Sequence, residues 1–180
     1  MMKTVLVTGF AGLHIIEGSM FEDPRGVFLK TFNQSIFSGL GLETNYRERY
    51  YSKSHKEVIR GMHFQTPPCD HVKIVNVLQG RILDVVVDIR KDSPTYTKYF
   101  SIELNDSDGR FIYIPKGFAH GFKALTDNAI VEYNQTTEYN RECDCGIRWD
   151  SFGFDWQLSN PVISERDNDF CALNDYSSPF

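Results

Sequence analysis

Apolar and polar positions alternate along most of the chain in short stretches with a period of two rather than 3.6. Residues 58–65, 73–78, 82–88, 99–104, 111–114 and 129–136 each read as a strand. Nearer the start, 13–17 predicts an early strand before the turn Glu22-Asp23-Pro24-Arg25-Gly26, and 27–32 predicts another after it. Residues 34–40 predict a short helix that ends at Gly41. Gln79-Gly80 between two apolar runs predicts a hairpin joining 73–78 to 82–88, with Arg81 at its mouth, and Asn105-Asp106-Ser107-Asp108-Gly109 predicts a polar turn. From Asn140 the pattern is interrupted by Asp144, Gly146, Gly153, Asn160 and Pro161, which predicts loops and short helices packed on the strands. Regular short strands separated by turn signals predict a mainly β fold, a barrel or sandwich, and 180 residues fit one domain over 1–180.

The opening run Lys3-Thr4-Val5-Leu6-Val7-Thr8-Gly9-Phe10-Ala11-Gly12 imitates the first strand and glycine turn of a dinucleotide-binding unit. The third glycine of that fingerprint falls at Ile15, and no amphipathic helix pattern follows. The imitation therefore carries no dinucleotide site.

Composition sharpens the β reading, because 14 Phe and 9 Tyr favour half-buried pleated surfaces. A net charge of −5 lacks the basic footprint of a nucleic-acid binder, while leaving room for a local cluster that takes a small anion. No apolar run reaches membrane-spanning length and no signal-peptide pattern opens the chain, so a cytoplasmic protein with no membrane partner is expected. Cys69, Cys143, Cys145 and Cys171 are then expected as free thiols, and none has zinc-finger spacing.

The candidate chemistry sits on the strands. An isolated strand histidine is most often a satisfied core residue, but His63 has Arg60 three residues before it and Gln65 two after. Several polar groups on a half-buried strand each need a partner, which a ligand in a barrel mouth would supply. Alternation places His63 with Gly61 and Gln65, and Arg60 on the other face with Met62 and Phe64; a bulge at Gly61 would bring Arg60 and His63 into one pocket. Lys73 alternates with Val75 and Val77, so it points inward, either snorkelling at the strand end or aimed at an oxyanion. Tyr133 shares a face with Val131 and Gln135, as packing or as a proton donor. Asp167 is of the type that orients a histidine base, although spacing alone does not reveal the pair. A metal site built on His63, His71 and His120 is disfavoured, because His63 precedes Phe64-Gln65 and His120 precedes Gly121-Phe122, without the paired histidines of metal-binding cupins.

Asp23 to Phe28, Val58 to Gln65, Asp84 to Arg90 with Ser93-Pro94-Thr95-Tyr96, Ile114 to Phe122, Gly146 to Trp149 and Pro161 to Asp167 together resemble the dTDP-4-dehydrorhamnose 3,5-epimerase family of nucleotide-sugar epimerases. The resemblance implies a cupin-type jelly-roll β-barrel with peripheral strands and short helices, no metal or other cofactor, and a homodimer whose N-terminal strands reach into the partner subunit. It implies His63 as general base oriented by Asp167, Lys73 as the group stabilising an enolate oxygen at C4, and Tyr133 as the acid on the opposite face. Arg25, Arg60 and His120 resemble the family's contacts to diphosphate and sugar, and Tyr139 the ring that stacks on the base, with Arg25 and Phe28 donated across the dimer. Glu48 and Tyr50 stand where the family usually has glutamine and asparagine, and Lys30 where it has glutamate; these positions belong to nucleotide and sugar recognition.

The reaction this implies is inversion of C3, C5 or both in a nucleotide-diphospho-4-keto-6-deoxy sugar, most readily dTDP-4-dehydro-6-deoxy-D-glucose. The competing readings are a single-centre epimerase on a CDP- or GDP-linked sugar, a metal-dependent cupin, and a non-catalytic sugar-nucleotide binding module.

Overall fold

A computed structural model describes residues 4–157 and 160–180; Lys3, at the head of the dinucleotide-like run, lies outside them. In chain order the elements are β1 (Thr4–Val7), β2 (His14–Glu17), β3 (Ser19–Asp23), β4 (Gly26–Lys30), α1 (Gln34–Gly39), β5 (Glu48–Ser54), β6 (Ile59–Gln65), β7 (Lys73–Gln79) and β8 (Arg81–Asp88). They continue with β9 (Tyr99–Asn105), β10 (Arg110–Ile114), β11 (Phe118–Ala124), β12 (Ala129–Gln135), β13 (Asp144–Gly146), α2 (Glu165–Asp169) and a 3-10 turn at Leu173–Asp175. The opening strand of the dinucleotide-like run is real, but it folds back antiparallel onto β2 with no helix between them.

One sheet runs β1-β2-β10-β7-β12-β5 and a second runs β13-β6-β11-β8-β9, while β3 and β4 pair only with each other. All these pairings are antiparallel. Val75, Val77, Ile112 and Val131 of the first sheet pack against Ile82, Val86, Leu104, Phe118 and Phe122 of the second, closing the mainly β, cupin-type barrel over a shared interior. The outer face of the first sheet is covered by Phe37 of α1 and Leu42, packed on Ile16, Ile74 and Phe111. On the outer face of the second, Ile147, Trp156 and Leu173 of the tail pack on Met62, Phe64, Val85 and Val87. With both faces covered, β11 is buried at every position, so its sequence does not alternate.

The short helix forms where the pattern places it, with Asn33 as N-cap accepting from the Ile36 N–H at 3.1 Å. The expected hairpin across Gln79-Gly80 does not form. β7 pairs with β10 and β12, and β8 with β11 and β9, so Gly80 (φ +80°) is a corner at which the chain passes from one sheet to the other. Side chains replace the missing cross-strand bonds: Asp106 accepts from Gly80 N–H at 2.7 Å and Thr126 Oγ1 from Arg81 N–H at 3.0 Å. The physical reason is that Val75 and Val77 and Ile82 and Val86 all seek one interior, which two facing strands satisfy and one flat hairpin does not. β3 and β5 carry no apolar alternation strong enough to predict them; most of their residues are at least partly exposed.

The bulge expected at Gly61 is present. His63 lies opposite His120 and Arg60 opposite Phe122, with a register shift between them. A Cβ on Gly61 (φ +143°) would stand 2.5 Å from the Gly121 Cα, and one on Gly121 would stand 2.6 Å from the Met62 Sδ, so β6 and β11 meet through two glycines. Gly61→Ala is expected to cost about 2–4 kcal/mol from combined strain and overpacking, a fall in Tm of about 5–15 °C by thermal denaturation. An unchanged Tm would show that the two strands have room to part.

Candidate functional site

A cavity of about 380 Å³ opens between the two sheets, large enough to engulf much of a small ligand. Its walls come from opposed elements: Arg60, His63 and Gln65 of β6 and His120 of β11 on one side, Lys73 of β7 and Tyr133 and Gln135 of β12 on the other. The register explains the second group, since Gln135 is directly opposite Lys73 and Tyr133 lies two residues along the same inward face. Glu48, Tyr50, Tyr139, Asp144 and Arg166 complete the rim.

The tail delivers Asp167 to His63. The Ile59 N–H donates to the Val162 carbonyl at 3.0 Å and the Val162 N–H to the Glu57 carbonyl at 3.1 Å, tying residue 162 alongside the start of β6. Ser164 then caps α2 by accepting from the Asp167 N–H at 3.1 Å. The Asp167 carboxylate is thereby aimed at β6, with Oδ2 accepting from the Gly61 N–H at 3.0 Å and Oδ1 lying 2.7 Å from His63 Nε2. Burial alone would raise the Asp167 pKa, but the bonds from His63, Gly61 and Ser164 outweigh it and hold the carboxyl below its ordinary range. An ionised Asp167 takes the Nε2 proton as its hydrogen-bond donor, which leaves Nδ1 as the basic atom of His63.

Lys73 is 6 % exposed and takes part in none of the ion pairs among the described residues. Burial pushes its ammonium pKa down to about 8, with the more distant Asp84 and Asp144 opposing the shift only in part. Tyr133 is likewise buried, which pushes its phenol well up, and Ser52 lies 3.3 Å from its hydroxyl. Tyr50 stacks on the Tyr133 ring at 4.7 Å between centroids and receives a hydrogen bond from Gln135.

The remaining predicted residues divide. His120 lines the cavity, with Nε2 held 2.8 Å from the fully buried Asp84. Tyr139 stands at the rim, 59 % exposed, its N–H donating to Glu48 Oε2 at 2.9 Å. Gln65 spends its amide on the protein: Nε2 donates to the Cys69 carbonyl at 2.9 Å and Oε1 accepts from the Asn140 N–H at 2.6 Å, so it fixes the segment bearing Tyr139. Arg25 and Phe28 lie on the β3–β4 ribbon and do not line the cavity of their own chain; Arg25 pairs with Asp23. Among the described residues no three His, Cys, Asp or Glu side chains are placed to hold a metal ion, and no helix is long and apolar enough to cross a membrane.

Sequence reading placed Tyr50 among the recognition positions but missed Asp84, Arg166 and Ser52. Asp84 carried a signal, a carboxylate inside the apolar run 82–87. Arg166 carried none, because its place at the rim, 2.7 Å from Asp144, depends on how the tail packs.

The family model for dTDP-4-dehydrorhamnose 3,5-epimerase matches residues 7–175. The chain belongs to this family. It is 42 % identical over 173 residues to the dTDP-4-dehydrorhamnose 3,5-epimerase of Methanothermobacter thermautotrophicus, covering 93 % of each chain. Among solved structures, the Sulfolobus tokodaii dTDP-4-dehydrorhamnose 3,5-epimerase superposes with a TM-score of 0.92 at 37 % identity, covering 99 % of both chains. The Legionella pneumophila dTDP-6-deoxy-D-glucose-3,5-epimerase, solved in complex with dTDP-4-keto-L-rhamnose, also gives 0.92 at 34 % identity, covering 97 % of this chain and 94 % of that one. In this member of the epimerase family the unpaired Lys73 sits in the cavity wall at a cost to folding.

That cost has a sign. Between a folded-state pKa near 8 and the ordinary lysine value, the unfolded chain binds more protons, so the penalty is complete below pH 8 and is relieved as pH rises beyond it. Lys73→Met is therefore expected to raise stability at pH 7 by on the order of 1–3 kcal/mol, read as a higher Tm. The gain should shrink between pH 8 and 10.5; a gain independent of pH would trace to packing instead.

Proposed function

We propose that the chain inverts C3 and C5 of dTDP-4-dehydro-6-deoxy-D-glucose to give dTDP-4-dehydro-L-rhamnose. The observation that carries this reading is that His63 and Tyr133 lie on opposed sheets across one cavity, with the Lys73 ammonium in its wall. Protons at C3 and C5 are acidified by the C4 carbonyl. His63 Nδ1 removes one, the electron pair moves onto the carbonyl oxygen, and Lys73 stabilises the enolate. Tyr133 then gives its phenolic proton to the same carbon from the other face, which inverts the centre; burial keeps that phenol protonated until it is needed. Proton exchange with solvent resets both groups.

Arg60 and Arg166 supply cations and donors for diphosphate and sugar, His120 presents Nδ1 while its Nε2 is held by Asp84, and Tyr139 offers an exposed ring for the base. We read 1–180 as one cupin-type domain that acts as a cytoplasmic homodimer. Phe21, Val27 and Phe28 are 60 %, 55 % and 62 % exposed on the β3–β4 ribbon, an apolar surface suited to a second copy whose cavity would then receive Arg25 and Phe28.

Proton NMR of dTDP-4-keto-6-deoxyglucose with the chelator-treated protein in deuterium oxide tests the reaction. Loss of both the C3 and C5 signals is expected; loss of one marks a single-centre epimerase, and loss of neither leaves a binding module. His63→Ala should abolish exchange while nucleotide binding is retained, and Tyr133→Phe should impair inversion more than exchange. Lys73→Met should lower kcat by roughly 10²–10³. Because the ammonium is needed charged, kcat/KM should decline above about pH 8, and a profile flat to pH 10 would remove Lys73 from the enolate step.

A further inference from the structure

Cys69 and Cys143 are 74 positions apart, yet their sulfurs lie 2.6 Å from one another. A disulfide bond is about 2.05 Å long, so joining them requires a movement on the order of half an ångström. The two backbones are fixed from a single residue: the Cys69 N–H donates to the Thr66 carbonyl at 3.0 Å, and the Thr66 N–H donates to the Cys143 carbonyl at 2.8 Å. Cys69 is half-buried and Cys143 buried, an arrangement with one reachable sulfur and one sheltered sulfur behind it. Cys145 instead contacts the Tyr176 hydroxyl at 3.9 Å, and Cys171 is exposed.

The same residues hold the rim of the cavity. The Cys69 carbonyl accepts from Gln65 Nε2 at 2.9 Å and from Thr137 Oγ1 at 2.8 Å, and the Cys143 N–H donates to the Asn140 carbonyl at 3.2 Å. Residues 137–143, which include Tyr139, are thus already attached to the β6–β7 connection by weak bonds at both ends. We propose that Cys69 and Cys143 are a reversible disulfide site that staples these two segments together.

A low-molecular-weight disulfide is a sufficient oxidant. The Cys69 thiolate attacks one of its sulfurs and displaces the first small thiol; Cys143 Sγ then attacks Cys69 Sγ in the mixed disulfide and displaces the second. The protein loses two S–H bonds and gains one S–S bond, while the reagent takes up two electrons and two protons and leaves as two thiols. Closing so long a loop restrains the unfolded chain strongly.

The test uses the full chain incubated with oxidised glutathione, then alkylated and digested without reduction. A single cross-linked peptide pair containing Cys69 and Cys143 is expected, with a Tm about 5–10 °C higher and amide hydrogen exchange over 137–143 slowed several-fold, all reversed by dithiothreitol. Cys69→Ser should abolish the link, Cys143→Ser should stop at glutathione on Cys69, and Cys145→Ser and Cys171→Ser should leave it intact. Alkylation of both sulfurs, a link through Cys145 or Cys171, or the expected link with no change in Tm and exchange would overturn the proposal. None of these readouts depends on the sugar reaction.

Discussion

The buried ammonium of Lys73 is the constraint to which the rest of the interior answers. Taking that charge out of water without a carboxylate in contact is unfavourable, and the fall of its pKa to about 8 expresses the penalty. The fold offsets it with the apolar packing that continues from the cavity, where Val75 and Val77, on the very strand that carries Lys73, meet Val86 and Phe122. Asp84 is placed to moderate the charge without cancelling it. Its Oδ2 lies 2.8 Å from His120 Nε2, and it forms no contact ion pair with Lys73. What is left is a cation whose best partner is an anion that enters from outside or forms there.

Opposite that cation, His63 depends on chain distant in sequence. Asp167 lies 104 positions from His63, and its approach rests on the backbone bonds of residue 162, the Ser164 cap and the Gly61 N–H. The Gly61 contact joins two requirements in one residue. The absence of a side chain lets β6 lie against Gly121, and its N–H helps hold the carboxylate that orients His63. The C-terminal layer therefore covers the outer face of the second sheet with Trp156 and Leu173 and, through the same packing, completes the site on the inner face.

These couplings show where sequence reading succeeds and where it stops. Alternation in 129–136 puts Val131, Tyr133 and Gln135 on one face because a strand allows no other arrangement, and the inward Lys73 follows in the same way. Pairing partners are another matter. The pattern across Gln79-Gly80 is satisfied equally by a hairpin and by two facing strands, and only the shared demand for one core decides between them. Arg60 beside His63 required a register shift that alternation forbids but that a glycine between them permits. Arg166, and the meeting of Cys69 with Cys143, arise from the path of the tail and of the 137–143 segment, for which local pattern contains no information.

The departures at Glu48 and Tyr50 take on a different meaning in this setting. A charged and a bulky side chain at recognition positions would suggest an altered ligand if both faced the cavity unengaged. Instead Glu48 accepts from the Tyr139 N–H at 2.9 Å, fixing the rim ring from below. Tyr50 lies flat on Tyr133, and its hydroxyl accepts from Gln135. Burial pushes the Tyr50 phenol up to about 12, so it stays neutral beside Tyr133 and adds no charge there. Each side chain thus supports a neighbouring group of the cavity wall or rim. Glu48 and Tyr50 are thereby engaged within the protein, and the Arg60 and Arg166 guanidinium groups in the cavity lining are donors of the kind that recognise phosphate and sugar oxygens and carry little information about a base.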